Sequence, residues 1–161
     1  MTSMKNYSSF LYSIIVATLF LSSCGDDEKP GIDTEYPEIV VTESSFPLQC
    51  SVLERGSTVQ FRASFKDNVE LGGFSLDIHH NFDHHTHSTE VNDCGLDPVK
   101  TPVDPMLFIQ TYTIPSGLKA YEGTAEIEIP EDIDPGDYHF MIRVTDQEGW
   151  QTIQGLSIKI E

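Results

Sequence analysis

Basic side chains are scarce in this chain. Nine Lys and Arg face 26 Asp and Glu among 161 residues, for a formal charge of −17. So acidic a surface repels phosphate backbones and anionic headgroups. That excludes nucleic acid and an anionic lipid surface as partners, and leaves cations or plain colloidal solubility for the charge to serve. Helical periodicity is also missing: no segment after Pro37 repeats its apolar residues at three- and four-residue spacing over a useful length. There are no internal repeats, no low-complexity tracts, and no apolar run long enough to span a bilayer. The common catalytic signatures are absent too, with no Ser-His-Asp arrangement, no Gly-rich phosphate loop and no H-E-x-x-H. Cysteine occurs three times, at Cys24, Cys50 and Cys94.

What is present begins with a delivery signal. Lys5 gives a positive start, the apolar run Phe10–Leu21 follows, and Leu21-Ser22-Ser23-Cys24 closes it with an aliphatic residue, two small residues and a cysteine. That order looks like a bacterial lipobox, whose cysteine is acylated before cleavage. Residues 1–23 are therefore expected to be a signal peptide, and lipid chains on Cys24 to anchor the mature protein in a membrane leaflet. The acidic run Gly25-Asp26-Asp27-Glu28-Lys29 resembles the surface-export signal of Bacteroidetes lipoproteins. The expected location is thus the outer membrane, exposed at the cell surface; a periplasm-facing protein on a solvated acidic linker is the alternative. Residues 24–36 read as the lipidated cysteine and tether, and residues 37–161 as one domain. In an oxidising compartment Cys50 and Cys94 have a single possible pairing, which predicts one disulfide. Cysteine ligands in a metal site are the competing reading.

The domain reads as all-β. Short alternating or apolar segments lie between Gly, Pro and Asp, and the strands expected are Glu38–Thr42, Thr58–Phe65, Gly73–His80, Met106–Ile114, Thr124–Ile129, Asp137–Thr145 and Gln151–Ile160. Thr58–Phe65 alternates with Val59, Phe61, Ala63 and Phe65 inward; Tyr138, Phe140, Ile142 and Val144 do the same later in the chain. About seven such strands predict an antiparallel immunoglobulin-like β-sandwich. Asp134-Pro135-Gly136-Asp137-Tyr138 matches the tyrosine corner of such domains, in which the Tyr hydroxyl bonds back to upstream backbone. Phe140 stands where antibody domains carry a disulfide cysteine. The one long connection, Asn81–Pro105, is of the length that is usually functional or disordered.

Five of the six histidines crowd into that connection and the strand before it: His79, His80, His84, His85 and His87. If Asp137–Thr145 lies antiparallel beside Gly73–His80, the sixth, His139, falls next to His79. Alternation then turns both to the solvent face of one sheet. His80 is expected to point inward, either as a hydrogen-bonded core-edge residue or as a further metal ligand. His84, His85 and His87 need only fold back to complete a site, and a Cys50–Cys94 bridge would pin their loop and lower the cost of ordering it. Three or four imidazoles suit Zn(II), Cu(II) or Ni(II), whereas Mg(II) and Ca(II) prefer oxygen. Asp77 and Asp83 are candidate acceptors for the ring N–H groups, with Asp83 also a possible carboxylate ligand.

Lipobox, acidic tether, the run Asp77-Ile78-His79-His80-Asn81-Phe82-Asp83-His84-His85 and the sandwich tail together resemble a family of Bacteroidetes lipoproteins catalogued as domain of unknown function 4625. The resemblance spans the mature chain and implies an extracellular sandwich lipoprotein; it implies no activity. The leading expectation is a non-enzymatic metal-binding lipoprotein holding Zn or Cu, as an accessory to an outer-membrane transporter in metal uptake or sensing. A second is an adhesion or carbohydrate-associated sandwich, for which Tyr112, Tyr121 and Trp150 are the candidate aromatics. A third, a metallohydrolase, needs an open metal position and a general base, and nothing places Glu90 or Asp83 at a substrate.

Overall fold

Residues that alternate between apolar and polar cannot bury one face without laying the chain out as a strand, and the longest strands here follow that rule. The computed structural model describes residues 32–86 and 94–161. Asp33–Glu161 forms one compact unit. Its strands are β1 (Glu38–Val40), β2 (Val52–Leu53), β3 (Thr58–Lys66), β4 (Leu71–His80), β5 (Phe108–Thr113), β6 (Ala120–Glu128), β7 (Gly136–Asp146) and β8 (Gln151–Ile160). Among the described residues there is no helix. One sheet has the order β1-β3-β6 and the other β2-β8-β7-β4-β5. Phe61 of β3 packs against Phe74 of β4 and Phe140 of β7, both with ring centroids 5.9 Å away, so the two inner faces share one aromatic core.

Seven strands lie at the expected segments, with shifted ends; β2 is an addition. It is two residues long and pairs parallel to β8, so the fold is not wholly antiparallel as the sequence suggests. A two-residue strand carries too little alternation to be read from sequence. β6 begins at Ala120, four residues before the expected Thr124, because its pairing with β3 runs on through Gly123. A Cβ at Gly123 would lie 2.6 Å from the Phe65 ring, so the glycine there serves close packing and does not break the strand. Asp33–Tyr36, assigned to the tether on sequence grounds, lies against the sandwich: the Trp150 indole donates to the Asp33 carbonyl at 2.9 Å and meets the Tyr36 ring at a tilt, with centroids 5.0 Å apart.

The tyrosine corner forms as its motif predicts. The Tyr138 hydroxyl donates to the Asp134 carbonyl at 2.6 Å and accepts from the Met106 amide at 3.2 Å. Burial raises the Tyr138 pKa, so the phenol stays protonated and keeps its donor role. Tyr138→Phe removes both bonds from a buried position and should cost about 1–3 kcal/mol. Chemical denaturation should show a lower midpoint with an unchanged slope; an unchanged midpoint would mean that the corner contributes nothing.

Candidate metal centre

The strand register places the first two imidazoles. β4 and β7 pair antiparallel with His79 opposite His139. Because Ile78, Tyr138 and Phe140 fill the core, alternation turns His79 and His139 to the other face of the sheet. Beyond β4 the chain is led around a turn. The Asn81 amide donates to the Asp137 carbonyl, the His84 amide to the Asn81 carbonyl, and His84 takes a left-handed conformation at φ 59°. The reversal brings His85 back over the same face. His79 and His85 stack with centroids 5.7 Å apart, and His139 lies 5.3 Å from His79 and 4.7 Å from His85. One ring nitrogen from each of the three falls within 4.8 Å of the other two.

Each ring is oriented by a second group. His79 Nδ1 donates to Asp77 Oδ1 and His85 Nδ1 to Asp83 Oδ1, both at 2.6 Å. The His85 bond holds the Asp83 carboxyl below the usual carboxylate range. His139 Nε2 lies 3.1 Å from the His85 carbonyl, which can only accept, so this nitrogen carries the proton. These partners assign the lone pairs to Nε2 of His79, Nε2 of His85 and Nδ1 of His139. Carboxylates that fix the tautomer of a ligating histidine also raise its basicity. Asp77→Asn and Asp83→Asn are each expected to weaken Zn(II) binding about 10- to 100-fold while the fold persists. Competition titration against a chromophoric chelator reads the change, and wild-type affinity in both variants would contradict the assignment.

The structure divides the histidine run. It brings His79, His85 and His139 together, and leaves His80 and His84 outside. His80, also a candidate ligand, sits at the core edge opposite Tyr138 and packs on Phe82 at 4.9 Å, apart from the three converging imidazoles. His84 was a candidate ligand; its Nε2 instead donates to the Asp97 carbonyl at 2.8 Å and ties the two limbs of the loop. Asp83 orients His85. His139 departs from expectation in burial: it is on the outer face, yet 0 % exposed, because the returning segment covers it. Alternation fixes a face but does not show what later folds over it. His87, Glu90 and Cys24 lie outside the described residues.

Cys50 and Cys94 form the disulfide, with Cα atoms 5.3 Å apart, which removes the reading of cysteine ligands. The Cys50 amide donates to the carbonyl of Ser157, the β8 register partner of His139. The bridge therefore fastens the far limb of the loop beside the histidines. Sequence reasoning missed the other fastening. Lys159 Nζ reaches Asp97 at 2.6 Å and Asp137 at 3.2 Å, and Asp137 also accepts from the Asp97 amide. The bond from Asp97, before that from Asp137, holds the Lys159 pKa above its ordinary value. The neighbourhood of Asp137 and His139 was the signal available.

The family model described as domain of unknown function (DUF4625) matches residues 22–161. No curated protein matches the chain in sequence. Among solved structures, the chain is similar to a Niemann-Pick type C2 protein from the Japanese carpenter ant, at 11% identity and a TM-score of 0.46, over 81% of this chain and 96% of that one. It is also similar to the sporulation control protein Spo0M from Bacillus subtilis, at 12% identity and a TM-score of 0.42, over 78% of this chain and 49% of that one. A family 123 glycoside hydrolase from Clostridium perfringens is similar at 15% identity and a TM-score of 0.40, over 69% of this chain and 22% of that one.

Proposed function

We propose that this chain, which belongs to the DUF4625 family, binds a transition-metal ion through His79, His85 and His139. The observation that carries the reading is the convergence of one nitrogen from each of these three residues within 4.8 Å, two of them with carboxylate-oriented rings. An all-imidazole set of three favours Zn(II) or Cu(II), with Ni(II) also accommodated. A tetrahedral ion with bonds of about 2.0–2.1 Å sets its ligands roughly 3.3 Å apart, so loading would draw the rings inward. His79 and His85 are partly exposed, which leaves the ion reachable from solvent, while the buried His139 anchors the site to the sheet. A fourth position falls to water.

The compartment completes the proposal. The lipobox at Leu21–Cys24 and the acidic run after it support a lipid-anchored protein of the outer membrane, displayed at the cell surface, and the disulfide is consistent with an oxidising environment. In that place a reachable, oriented imidazole site suits an accessory to an outer-membrane transporter in metal uptake or sensing, with no catalytic step. We also read the fold as immunoglobulin-like: the β4–β7 neighbours, the two-sheet order and the Tyr138 corner support it. The candidate aromatics for a glycan-binding face, Tyr112, Tyr121 and Trp150, sit on β5, β6 and the β7–β8 turn, so they do not form one platform.

Metal analysis of tag-free protein after titration with Zn(II) or Cu(II) and removal of excess ion tests the function. One ion per chain is expected. Because imidazole ligates only in its neutral form, affinity should fall on acidification. The absence of any stoichiometric ion would overturn the proposal.

A further inference from the structure

A second cluster lies on three other elements. Asp33 is in the segment leading to β1, Asp67 follows β3, and Asp146 ends β7. One carboxylate oxygen from each falls within 4.8 Å of the others. Each carboxylate spends one oxygen on local structure. Asp33 Oδ1 accepts from the Asn68 side chain and the Glu35 amide, Asp67 Oδ2 from the Val69 and Glu70 amides, and Asp146 Oδ1 from the Gly149 and Trp150 amides, all at 2.6–3.0 Å. These bonds lock the carboxylates in place. They do not neutralise them, and no Lys, Arg or His forms an ion pair with any of the three among the described residues.

The other oxygens provide a separate observation. Asp33 Oδ2, Asp67 Oδ1 and Asp146 Oδ2 are each buried without a hydrogen-bond partner among the described residues. Asp33 is only 5 % exposed and Asp146 only 3 %. Buried carboxylate oxygens need a partner, and three crowded together repel one another unless a cation lies between them. An all-oxygen, carboxylate-rich donor set is the chemistry of Ca(II) and unsuited to the softer ions that imidazoles select. The spacing agrees: with Ca–O bonds of about 2.3–2.6 Å, oxygens on opposite sides of the ion stand about 4.6–5.2 Å apart and all others closer.

We propose that Asp33, Asp67 and Asp146 bind a calcium ion that clamps the incoming chain to the β3–β4 and β7–β8 turns. Backbone carbonyls and water complete the shell. The clamp holds Asp33 to the two turns, beside the Trp150–Tyr36 contact. Gly72 belongs to the same construction, since a Cβ there would lie 2.6 Å from the Asp146 carbonyl. The site is separate from the imidazole centre, and either can fail without the other.

Trp150, the one tryptophan of the chain, donates to Asp33 and so reports on the site. The full chain, stripped with EGTA, is titrated with Tb(III) while Trp150 is excited, and Ca(II) or Mg(II) is then added. Sensitised Tb(III) emission should appear and be displaced by Ca(II) with a Kd of about 10⁻⁴–10⁻³ M, the range of extracellular modules. Ca(II) at ten times Kd should raise the Tm by about 4 °C. Asp67→Asn and Asp146→Asn should each weaken Ca(II) at least tenfold, while His79→Ala should leave it unchanged. Asp67→Asn, at a turn, keeps the test open should Asp146→Asn fail to fold. No sensitised emission, emission indifferent to Asp67→Asn, or displacement by Mg(II) as readily as by Ca(II) would each overturn the proposal.

Discussion

Replacing His139 with Ala should reduce Zn(II) affinity by more than about 100-fold, beyond the loss expected on removing a residue that merely orients a ligand. His139 is the buried member of the triad, held by strand pairing on both sides, and its Nε2–H also fixes the His85 carbonyl. Losing it takes away one proposed ligand and loosens the segment that delivers a second. His85→Ala should give a similar loss with less effect on stability, because His85 is partly exposed. His80→Ala and His84→Ala make the discriminating controls. Their imidazoles pack on Phe82 and bond to Asp97, so affinity should move less than about fivefold. Isothermal titration of the set reads all four values. Equal losses in His80→Ala, His84→Ala and His85→Ala would instead indicate a diffuse, unstructured chelating loop.

Reduction or removal of the Cys50–Cys94 disulfide should have the largest effect on stability. The bridge closes a sequence separation of 44 residues, for which the loop-entropy relation gives about 4 kcal/mol, within the range of about 2–5 for native disulfides of small secreted domains. The Cys50→Ser/Cys94→Ser variant should show that loss in guanidinium denaturation. It should also bind Zn(II) about tenfold more weakly, since the ordering cost of the loop is then met at the moment of binding. Two changes with one cause distinguish a pinned loop from a bridge that only holds the scaffold. Loss of stability with wild-type Zn(II) affinity would separate the bridge from the metal centre.

Much of the fold and of the site is legible in particular residues of the sequence. Alternation in Thr58–Phe65 and Tyr138–Val144 located β3 and β7, and the Asp134–Tyr138 motif located the corner, because both are local rules of backbone geometry. Reading Gly73–His80 as the strand beside β7 in an immunoglobulin-like sandwich then sets His79 next to His139 without contact information. The rest depended on what covers what. That His139 is buried and that His84 turns to Asp97 are consequences of how a long connection packs, and no periodicity encodes them, while β2 is too short to show one. The Asp33, Asp67 and Asp146 cluster was hidden for the same reason. Its members are separated by 34 and 79 residues and only the closing of the sheets brings them together.

The central claim is tested most directly by X-ray absorption at the metal edge of the Zn(II)-loaded full chain. The expected spectrum shows one ion with three imidazole nitrogens at about 2.0–2.1 Å, a light fourth ligand and no sulfur. A shell built from oxygen alone, or one containing sulfur, would contradict it.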